Sequence, residues 1–398
     1  MMAACTAAAN GAETVLFERN NSCGIKLNIT GKGRCNLTNN CGTDELLKNI
    51  HCNAKFLYSA FRVFDAQSTM DFFDKAGVPL KTERGNRVFP CSDRAKDITE
   101  ALLRIMKQQG VKIINRFIEH INAADGRVLG VTDKGSVFYP FDRVILATGG
   151  LSYPKTGSDG AGYRLAKELG HSVVRQSPAL VPLTLAGDIP SRLEGLSLRN
   201  VKVTLKKDGK SLFSDMGEML FTHSGVSGPL ILTASSFTEP EGFPYELFID
   251  LKPALTPDVL DKRILKDFSE LLNKNFSNSL SGLFPSGLIP IMVELSGIPE
   301  TQKVNSVTRE QRAELVRLTK ALPFTVVGTA SYDEAIITAG GISVKEIDPK
   351  SMQSRLVKGL HFAGEIIDVS AYTGGFNLQI AWSTGFCAGQ AAAKECEG

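Results

Sequence analysis

The most specific chemical pattern lies near the C-terminus, where Gly364-Glu365 is followed by Gly374-Gly375 and Asn377. This spacing predicts a short strand that ends in Gly-Glu, a glycine turn and then a long apolar helix. The first turn of such a helix presents N–H groups and the positive end of the helix dipole to an electron-rich atom. A flavin gains from that field at the N1–O2 edge of its ring, where reduction places negative charge. A capped core helix is the alternative, and the pattern is too particular to favour it.

A second glycine turn follows the apolar run from Arg143 to Thr148, which is typical of a parallel strand buried on both faces. Gly149 and Gly150 close this run, and a Gly-Ser-Asp-Gly-Ala-Gly segment at 157–162 precedes a predicted helix. Glycines let a backbone approach a cofactor closely, and a helix N-terminus binds anions. A tight strand-to-helix connection explains the same residues without a ligand, so this motif counts only in combination with the others.

A third candidate is the segment Thr30-Gly-Lys-Gly-Arg-Cys-Asn36, in which Gly31 and Gly33 permit close approach of a ligand. Asn36 can both donate and accept a hydrogen bond at a flavin ring edge. The basic residues in and before the segment can neutralise phosphate: Lys26, Lys32 and Arg34. A plain surface turn is the alternative, and so short a glycine pattern alone favours it.

At the start of the chain, a predicted helix over residues 1–9 and a turn at Asn10-Gly11 lead into a short apolar strand that ends at Glu18. In a Rossmann-type unit, the acid at the tip of the second strand binds the ribose hydroxyls. A solvated acid at a strand end is an equally good interpretation. The strand and the G-x-G-x-x-G turn that precede this helix in a complete unit are absent from the sequence.

One histidine, His223 in the segment FTHSGVSGP, could donate a proton from a substrate loop, although a lone histidine is more often structural. It is the only, and weak, catalytic candidate. The five histidines contain no closely spaced pair, and we therefore predict no metal site.

The composition is that of an ordinary globular protein of two or three domains, with 398 residues, 43% hydrophobic and 22% charged. The net charge of +3, from 45 basic and 42 acidic residues, argues against a nucleic-acid partner bound by bulk electrostatics. The eight cysteines form no CxxC pair and are predicted to be reduced thiols. No apolar run approaches the ~18 residues of a membrane span, so we expect a cytoplasmic protein without a membrane partner.

The two ends of the chain share α/β character, whereas the middle alternates like β-strands and carries a helical stretch. We predict an α/β fold: a two-dinucleotide-binding, Rossmann-like FAD domain with an inserted β-rich domain and a small helical sub-domain. The predicted bounds are 1–182 and 349–398 for the FAD domain, 183–255 for the β-rich domain, 256–322 for the helical sub-domain and 323–348 for the return strands of the β-rich domain.

Several long segments together resemble the bacterial BaiN-like flavoproteins, a family of aminoacetone-oxidase-like FAD-binding enzymes. The matching segments span nearly the whole chain in order and include KLNITGKGRCNLTN, VILATGGLSYPKTGSDGAGYRLAKELGH and FAGEIIDVSAYTGGFNLQIAWSTG. The resemblance implies that FAD is the cofactor. The cofactor-binding residues that it implies, with their neighbours, are Glu18, Arg19, Lys26, Gly31, Gly33, Arg34, Cys35, Asn36, Ile118, Thr148, Gly149, Gly150, Gly364, Glu365, Gly374, Gly375, Asn377 and Leu378.

The sequence departs from this family at its beginning. Members carry a strand and a GGGxxG-like turn directly before the helix that is predicted here from Met1. The resemblance therefore implies that the first strand and phosphate loop are missing. A start codon assigned at an internal methionine is the favoured explanation, and a truncated gene is the alternative.

The resemblance also implies an oxidoreductase that uses NAD(P)H as a transient reductant, because the chain has no second nucleotide-binding fingerprint. Some relatives resemble reductases of a conjugated C=C bond in steroid-like ring substrates, so a small-molecule substrate is expected. The alternative is a non-catalytic remnant or interaction protein that keeps the fold without stable FAD. The oligomeric state and the choice between NADH and NADPH are not predicted.

Overall fold

A computed structural model describes residues 1–394, so Cys396 lies outside the described residues. The chain divides into two compact units. The first unit contains Met1–Ala179 and the chain from Ser331 onward, and the second contains Leu180–Ala330. The helices are α1 Met2–Ala9, α2 Ile25–Gly33, α3 Thr43–Lys48, α4 Ala54–Val63, α5 Ala66–Lys75, α6 Ala95–Gln108, α7 Ala161–Glu168, α8 Ile189–Arg192, α9 Pro229–Ser235, α10 Pro257–Glu270, α11 Phe276–Ser279, α12 Ile289–Ser296, α13 Arg309–Lys320 and α14 Phe376–Lys394.

The strands are β1 Val15–Glu18, β2 Thr38–Asn39, β3 Ile50–Cys52, β4 Leu80–Glu83, β5 Arg87–Pro90, β6 Lys112–Asn115, β7 Ile118–Ala124, β8 Arg127–Asp133, β9 Phe138–Pro140, β10 Val144–Leu146, β11 Val173–Ala179, β12 Leu183–Leu185, β13 Ser197–Lys207, β14 Lys210–Thr222, β15 Gly225–Ser227, β16 Tyr245–Asp250, β17 Leu322–Thr329, β18 Ile337–Ile342, β19 Leu360–Phe362 and β20 Ser370–Ala371. The confirmed fold class is Rossmann-type α/β, accompanied by a small closed barrel. No helix in residues 1–394 is long and apolar enough to cross a membrane.

Parallel strand pairs give the first unit its Rossmann character. β1 pairs with β6, and β10 pairs with β19, in both cases in parallel. The second register places Leu146 beside Phe362, and both side chains are buried, as expected for strands covered on both faces. Both pairs end at predicted site residues: Glu18 is the last residue of β1, and Gly364 follows β19 closely.

Helix α14 is the main core element of the first unit. Its sequence alternates Ala and Gly with larger apolar residues, and most of its side chains are buried. Glycines allow α1 to pack directly on its backbone, because a Cβ atom at Gly389 would lie 2.4 Å from the carbonyl oxygen of Ala3. Smaller antiparallel sheets complete this unit: β2-β5-β4, β7-β8-β9, β3 with β20, and β11 with β18.

The second unit is a closed antiparallel barrel with the strand order β12-β15-β14-β13-β16-β17. The sequence of β13 fits a barrel strand with one face toward the core. Val201, Val203 and Leu205 are buried, while the residues between them are more exposed. Helices α10 to α13 lie between β16 and β17 in the chain, and their apolar residues join the same hydrophobic core.

One predicted domain bound differs from the structure. Residues 331–348 belong to the first unit and are not return strands of the barrel, because β18 pairs with β11. Two local features of the first unit are also relevant to the site. The short strand β3 lies between helices α3 and α4. Helix α2 leaves helical geometry between Thr30 and Lys32.

Candidate functional site

A compact polar cluster surrounds the carboxylate of Glu365. Lys26 Nζ lies 2.6 Å from Glu365 Oε2 and 2.6 Å from Ser152 Oγ. Glu365 Oε1 accepts hydrogen bonds from Ser152 Oγ at 2.9 Å and from the Thr338 backbone N–H at 2.8 Å. The side chains of Lys26 and Glu365 are each only 22% exposed, so solvent screens this pair less than a surface pair. The cluster joins four segments of the first unit that are remote in sequence.

The glycines next to this cluster are explained by close packing. A Cβ atom at Gly150 would lie 2.4 Å from Thr338 Oγ1, which accepts the backbone N–H groups of Leu151 and Ser152. Gly149 has a φ of +76°, which favours glycine, and a Cβ atom there would lie 3.3 Å from Ser158 Oγ. These contacts bring the strand end after β10 close to β18.

The backbone around two further predicted residues supports this arrangement. Gly364 has a φ of +75° and donates its N–H to Thr384 Oγ1 of α14 at 2.9 Å. Thr148 is exposed. A Cβ atom at Gly162 would lie 1.9 Å from Thr148 Oγ1, so α7 can pack this closely against Thr148 only because position 162 is glycine.

A buried tyrosine adds a polar atom to the same region. The hydroxyl of Tyr163 has no hydrogen-bond partner among residues 1–394, although this residue is only 4% exposed. The hydroxyl would lie 3.2 Å from a Cβ atom at Gly150. Burial raises the pKa of Tyr163, and the carboxylate of Glu365 adds to the rise. A buried polar atom without a partner is costly, so a water or a ligand group is expected beside it.

A second group of predicted residues meets at the start of α14. In the amide orientation that satisfies both ends, the Asn36 nitrogen donates to the Thr38 carbonyl at 3.2 Å and its oxygen accepts from the Gly375 N–H at 3.0 Å. Gly375 has a φ of +100°, and a Cβ atom there would lie 2.4 Å from the Thr38 carbonyl oxygen. The Gly374 carbonyl accepts from Asn39 Nδ2 at 3.1 Å. The glycine turn before α14 is therefore fixed on β2.

Asn377 and Leu378, in the first turn of α14, are directed mainly toward the protein. The Asn377 side chain accepts the Ala371 N–H at 3.0 Å and donates to the carbonyls of Ala371 and Tyr372 at 2.8 and 3.3 Å. Leu378 is partly buried against a hydrophobic cluster of the first unit. Asn377 thus positions the segment that precedes α14.

Glu18 lies at the carboxyl end of β1 and, within residues 1–394, shares no hydrogen-bond partner with these two clusters. Its Oε1 accepts the Asn20 N–H at 2.9 Å, whereas Oε2 accepts no hydrogen bond within the described part of the chain. Its neighbour Arg19 forms an ion pair with Asp159 and lies over the ring of Phe117. Glu18 therefore retains one carboxylate oxygen for another partner.

Other predicted residues have protein partners that account for them. The guanidinium of Arg34 pairs with Glu83 and Asp93 and lies 4.1 Å above the ring of Phe89. Cys35 is fully buried, and burial raises the pKa of its thiol to about 12, so the thiol is directed into the core. Gly31 is required because a Cβ atom there would lie 2.9 Å from the Asn36 backbone nitrogen.

Three predicted residues remain to be placed: Gly33, Ile118 and His223. Gly33 has a φ of +83°, and a Cβ atom there would lie 4.0 Å from the Asn28 carbonyl oxygen. Ile118 begins β7 and packs against the hydrophobic core of the first unit. His223 belongs to the second unit, where its 79% exposed side chain pairs with Glu194 at 3.0 Å. No three or more His, Cys, Asp or Glu side chains in residues 1–394 are grouped to hold a metal ion. The seven described cysteines are free thiols.

Sequence reasoning missed Ser152, Thr338, Tyr163 and a pair formed by His51 and Tyr372. Ser152 and Tyr163 lie inside a segment that resembles flavoproteins, and Thr338 lies inside another, AIITAGGIS. Tyr372 immediately precedes the Thr-Gly-Gly turn, so the motifs could have indicated all four residues. His51 has no such local signal, because only the tertiary fold brings it to Tyr372.

The chemistry of these groups fits FAD. A ribose needs a carboxylate oxygen, which Glu18 Oε2 provides, and the phosphates or ring oxygens need a cation or N–H groups, which Lys26 and the first turn of α14 provide. The Tyr163 hydroxyl, buried and without a partner in the described chain, is a further group that a ligand or water can satisfy.

Comparisons with known proteins agree with this chemistry. Residues 1–391 match the family described as HI0933-like protein Rossmann domain. The chain is 32% identical over 386 residues to the 3-dehydro-bile acid delta(4,6)-reductase of Clostridium scindens, and this alignment covers 96% of this chain and 93% of the relative. It is 29% identical over 383 residues to the ribosomal RNA dihydrouridine synthase of Escherichia coli, and that alignment covers 96% of this chain and 92% of the relative.

A solved structure, the open conformation of a flavocytochrome c3 fumarate reductase, aligns with 100% of this chain and 77% of its own, at 16% identity and a TM-score of 0.49. The family match over nearly the whole chain and the 32% identical relative agree with the resemblance found in the sequence. The protein therefore belongs to the HI0933-like Rossmann-domain family and is an FAD-dependent oxidoreductase.

Proposed function

We propose that this protein takes a hydride from NAD(P)H through FAD and reduces a C=C bond conjugated to a carbonyl group. The observation that carries the proposal is the cluster of Lys26, Ser152 and Glu365, which joins the strand-end turns after β10 and β19 where a Rossmann fold binds its cofactor. The 32% identical relative named as a bile acid reductase supports this reaction type.

Three parts of the first unit then have a role toward FAD. Glu18 accepts the hydroxyls of the adenosine ribose, and Lys26 supplies a positive charge beside Ser152 and Glu365. Glu365 orients Lys26 and can exchange that contact for a ribityl hydroxyl. The N–H groups and dipole at the start of α14 favour negative charge on the ring. A bound FAD supplies the hydride carrier for the reaction.

The flavin ring then lies at the Gly374-Gly375 turn. Asn36 and Asn39 fix this turn on β2. Such a fixed turn is preorganised, so little free energy is lost when charge develops next to it. We do not assign this role to the side chains of Arg34 and Cys35, because Arg34 is paired with two acids and Cys35 is buried in the core.

A second acceptor has specific support. Two relatives, from Escherichia coli and Haemophilus influenzae, are named ribosomal RNA dihydrouridine synthase and are 29% and 30% identical. Dihydrouridine is uridine reduced at a C=C bond that is conjugated to a ring carbonyl, so the chemistry is the same as in a conjugated steroid ketone. The predicted absence of a nucleic-acid partner, made from the balanced charge, is therefore a proposal that the assay must test.

The experiment measures FAD binding, reduction and acceptor transfer separately. The purified protein, supplied with FAD, is expected to show a flavin absorbance band that NADH or NADPH bleaches without oxygen. A 3-oxo-4-ene steroid acid and a uridine-containing ribosomal RNA fragment are then added in parallel, and return of the band identifies the acceptor. Failure to take up FAD, or a band that neither nucleotide bleaches, would refute the proposal.

A further inference from the structure

The proposed reaction needs a proton as well as a hydride, and the start of the segment before α14 offers a donor. Tyr372 lies two residues before Gly374, and its hydroxyl is 3.4 Å from Nδ1 of His51 on β3. The two rings are also in contact, with centroids 5.6 Å apart. Resting on the proposed function, we propose that Tyr372 is the catalytic proton donor of this enzyme and that His51 is its positioning residue.

The backbone of Tyr372 is fixed from two sides. Its N–H donates to the Asn49 carbonyl at 3.0 Å, and its own carbonyl accepts from Asn377 Nδ2 at 3.3 Å. The strand that ends beside it, β20, pairs with β3, and Ala371 lies opposite Ile50. The same pairing brings His51 and Tyr372 together, so the hydroxyl has a defined position relative to the first turn of α14.

A neighbouring contact stiffens the same strand pair. Asn53 Nδ2 donates to the backbone oxygen of Asp368 at 2.6 Å and to its Oδ2 at 3.0 Å. Preorganised donors are more effective than mobile ones, because the geometry of transfer is set before the reaction begins.

The exposure of the two side chains suits a proton donor that is reprotonated from solvent. Tyr372 is half-buried and His51 is exposed. Burial raises the pKa of Tyr372, so the hydroxyl carries its proton at neutral pH. His51 can stabilise the tyrosinate and return a proton from water.

The step balances as a two-electron reduction. The π bond of the acceptor breaks, the hydride that comes from NAD(P)H through FAD forms a C–H bond at the β carbon, and the Tyr372 proton forms a C–H bond at the α carbon. The tyrosinate then takes a proton from water by way of His51. The net reaction consumes one NAD(P)H and one proton for each C=C bond reduced.

The test separates the two half-reactions in the FAD-loaded protein. Tyr372→Phe should be reduced by NAD(P)H at the wild-type rate but should reoxidise with the acceptor about 100-fold or more slowly. His51→Gln should slow reoxidation less. Tyr58→Phe, on an exposed tyrosine whose hydroxyl contacts Arg62, is the matched control and should leave both rates unchanged. A thermal midpoint within a few degrees of wild type confirms that the variants fold.

A readout without turnover is the absorbance of tyrosinate near 295 nm during an alkaline titration. Tyr372→Phe should remove one tyrosine titration from the curve, and His51→Gln should move that titration to higher pH. Normal reoxidation of Tyr372→Phe would overturn this inference and leave the proposed function intact. A wild-type protein that NAD(P)H reduces but that transfers to neither acceptor would overturn the proposed function and this inference with it.

Discussion

Replacement of Gln379 by methionine should show how the core of the first unit supports the glycine turn before α14. Gln379 is fully buried and makes four hydrogen bonds. Its Oε1 accepts from Thr38 Oγ1 at 2.6 Å and Thr69 Oγ1 at 2.9 Å, and its Nε2 donates to the Phe64 carbonyl at 3.1 Å and Ser383 Oγ at 2.9 Å. Methionine has a similar length and fills the same space but makes none of these bonds.

The loss of stability depends on which hydrogen-bond partners of Gln379 can form another hydrogen bond in the variant. The Thr69 hydroxyl can donate to the Asp65 carbonyl at 3.0 Å, and the Phe64 carbonyl still accepts from Ser383 Oγ at 2.6 Å. The Thr38 hydroxyl has no other hydrogen-bond acceptor in the described chain and is fully buried. An orphaned buried donor costs about 1–3 kcal/mol, and each lost ordinary hydrogen bond adds about 0.5–1.5 kcal/mol. We therefore expect a loss of about 2–4 kcal/mol.

Urea unfolding of the wild type, Gln379→Met, Thr38→Val and the double variant measures this loss. Since Thr38→Val removes the orphaned donor, the double variant should be less destabilised than the sum of the single variants, by about 1 kcal/mol or more. The Thr38 carbonyl contacts Gly375, so Gln379→Met should also bind FAD more weakly. A loss below about 1 kcal/mol with additive single variants would refute this account of the core.

Three further predictions concern FAD binding, the glycine turn and pH. Glu18→Ala should weaken FAD binding by about 1–3 kcal/mol in a calorimetric titration. Unchanged affinity would favour the alternative interpretation, in which Glu18 is a solvated acid at a strand end. Gly375→Ala should destabilise the fold and reduce FAD occupancy because its φ is +100° and its Cβ would meet the Thr38 carbonyl, whereas Gly42→Ala, in open space, should have little effect. Burial lowers the pKa of His171 in the folded protein, although its partner Glu346 opposes the shift. The unfolded chain therefore binds more protons below pH ~6.5, and stability should fall as the pH decreases from 7 to 5.5, by at most about 1.4 kcal/mol per pH unit from this group. His171→Phe should reduce this slope, and equal slopes would contradict the assignment.

The sequence predicted those parts of the site that depend on local patterns. The apolar runs before Gly149 and Gly364 predicted the strands β10 and β19, and the Gly374-Gly375 turn predicted the start of α14. That β10 and β19 pair in parallel is seen only in the structure. Each of the predicted features follows from periodicity and from the conformational freedom of glycine within about ten residues. Glu18 at the end of β1 belongs to the same class of prediction.

The sequence does not reveal partners that lie far away in the chain. Arg34 is predicted to contact the cofactor, and nothing in its segment indicates its ion pairs with Glu83 and Asp93, which lie 49 and 59 positions later. Cys35 is predicted in the same role, and nothing in its segment indicates that it is fully buried. The contact of both residues with FAD stays a prediction. The short strand β3 was hidden between helices, and with it the proximity of His51 to Tyr372.

The two proposed acceptors place different demands on different parts of the molecule. A conjugated steroid ketone and a uracil ring both require a hydride at one carbon and a proton at the next, so the groups near α14 can serve either. What separates them is the rest of the substrate, since an RNA adds many phosphate charges. With 45 basic and 42 acidic residues, the chain offers no bulk excess to bind those charges, and an RNA substrate would have to be bound by a local arrangement of lysines and arginines. The salt dependence of acceptor binding therefore distinguishes the two: steep weakening with salt indicates RNA, and weak dependence indicates the small ketone.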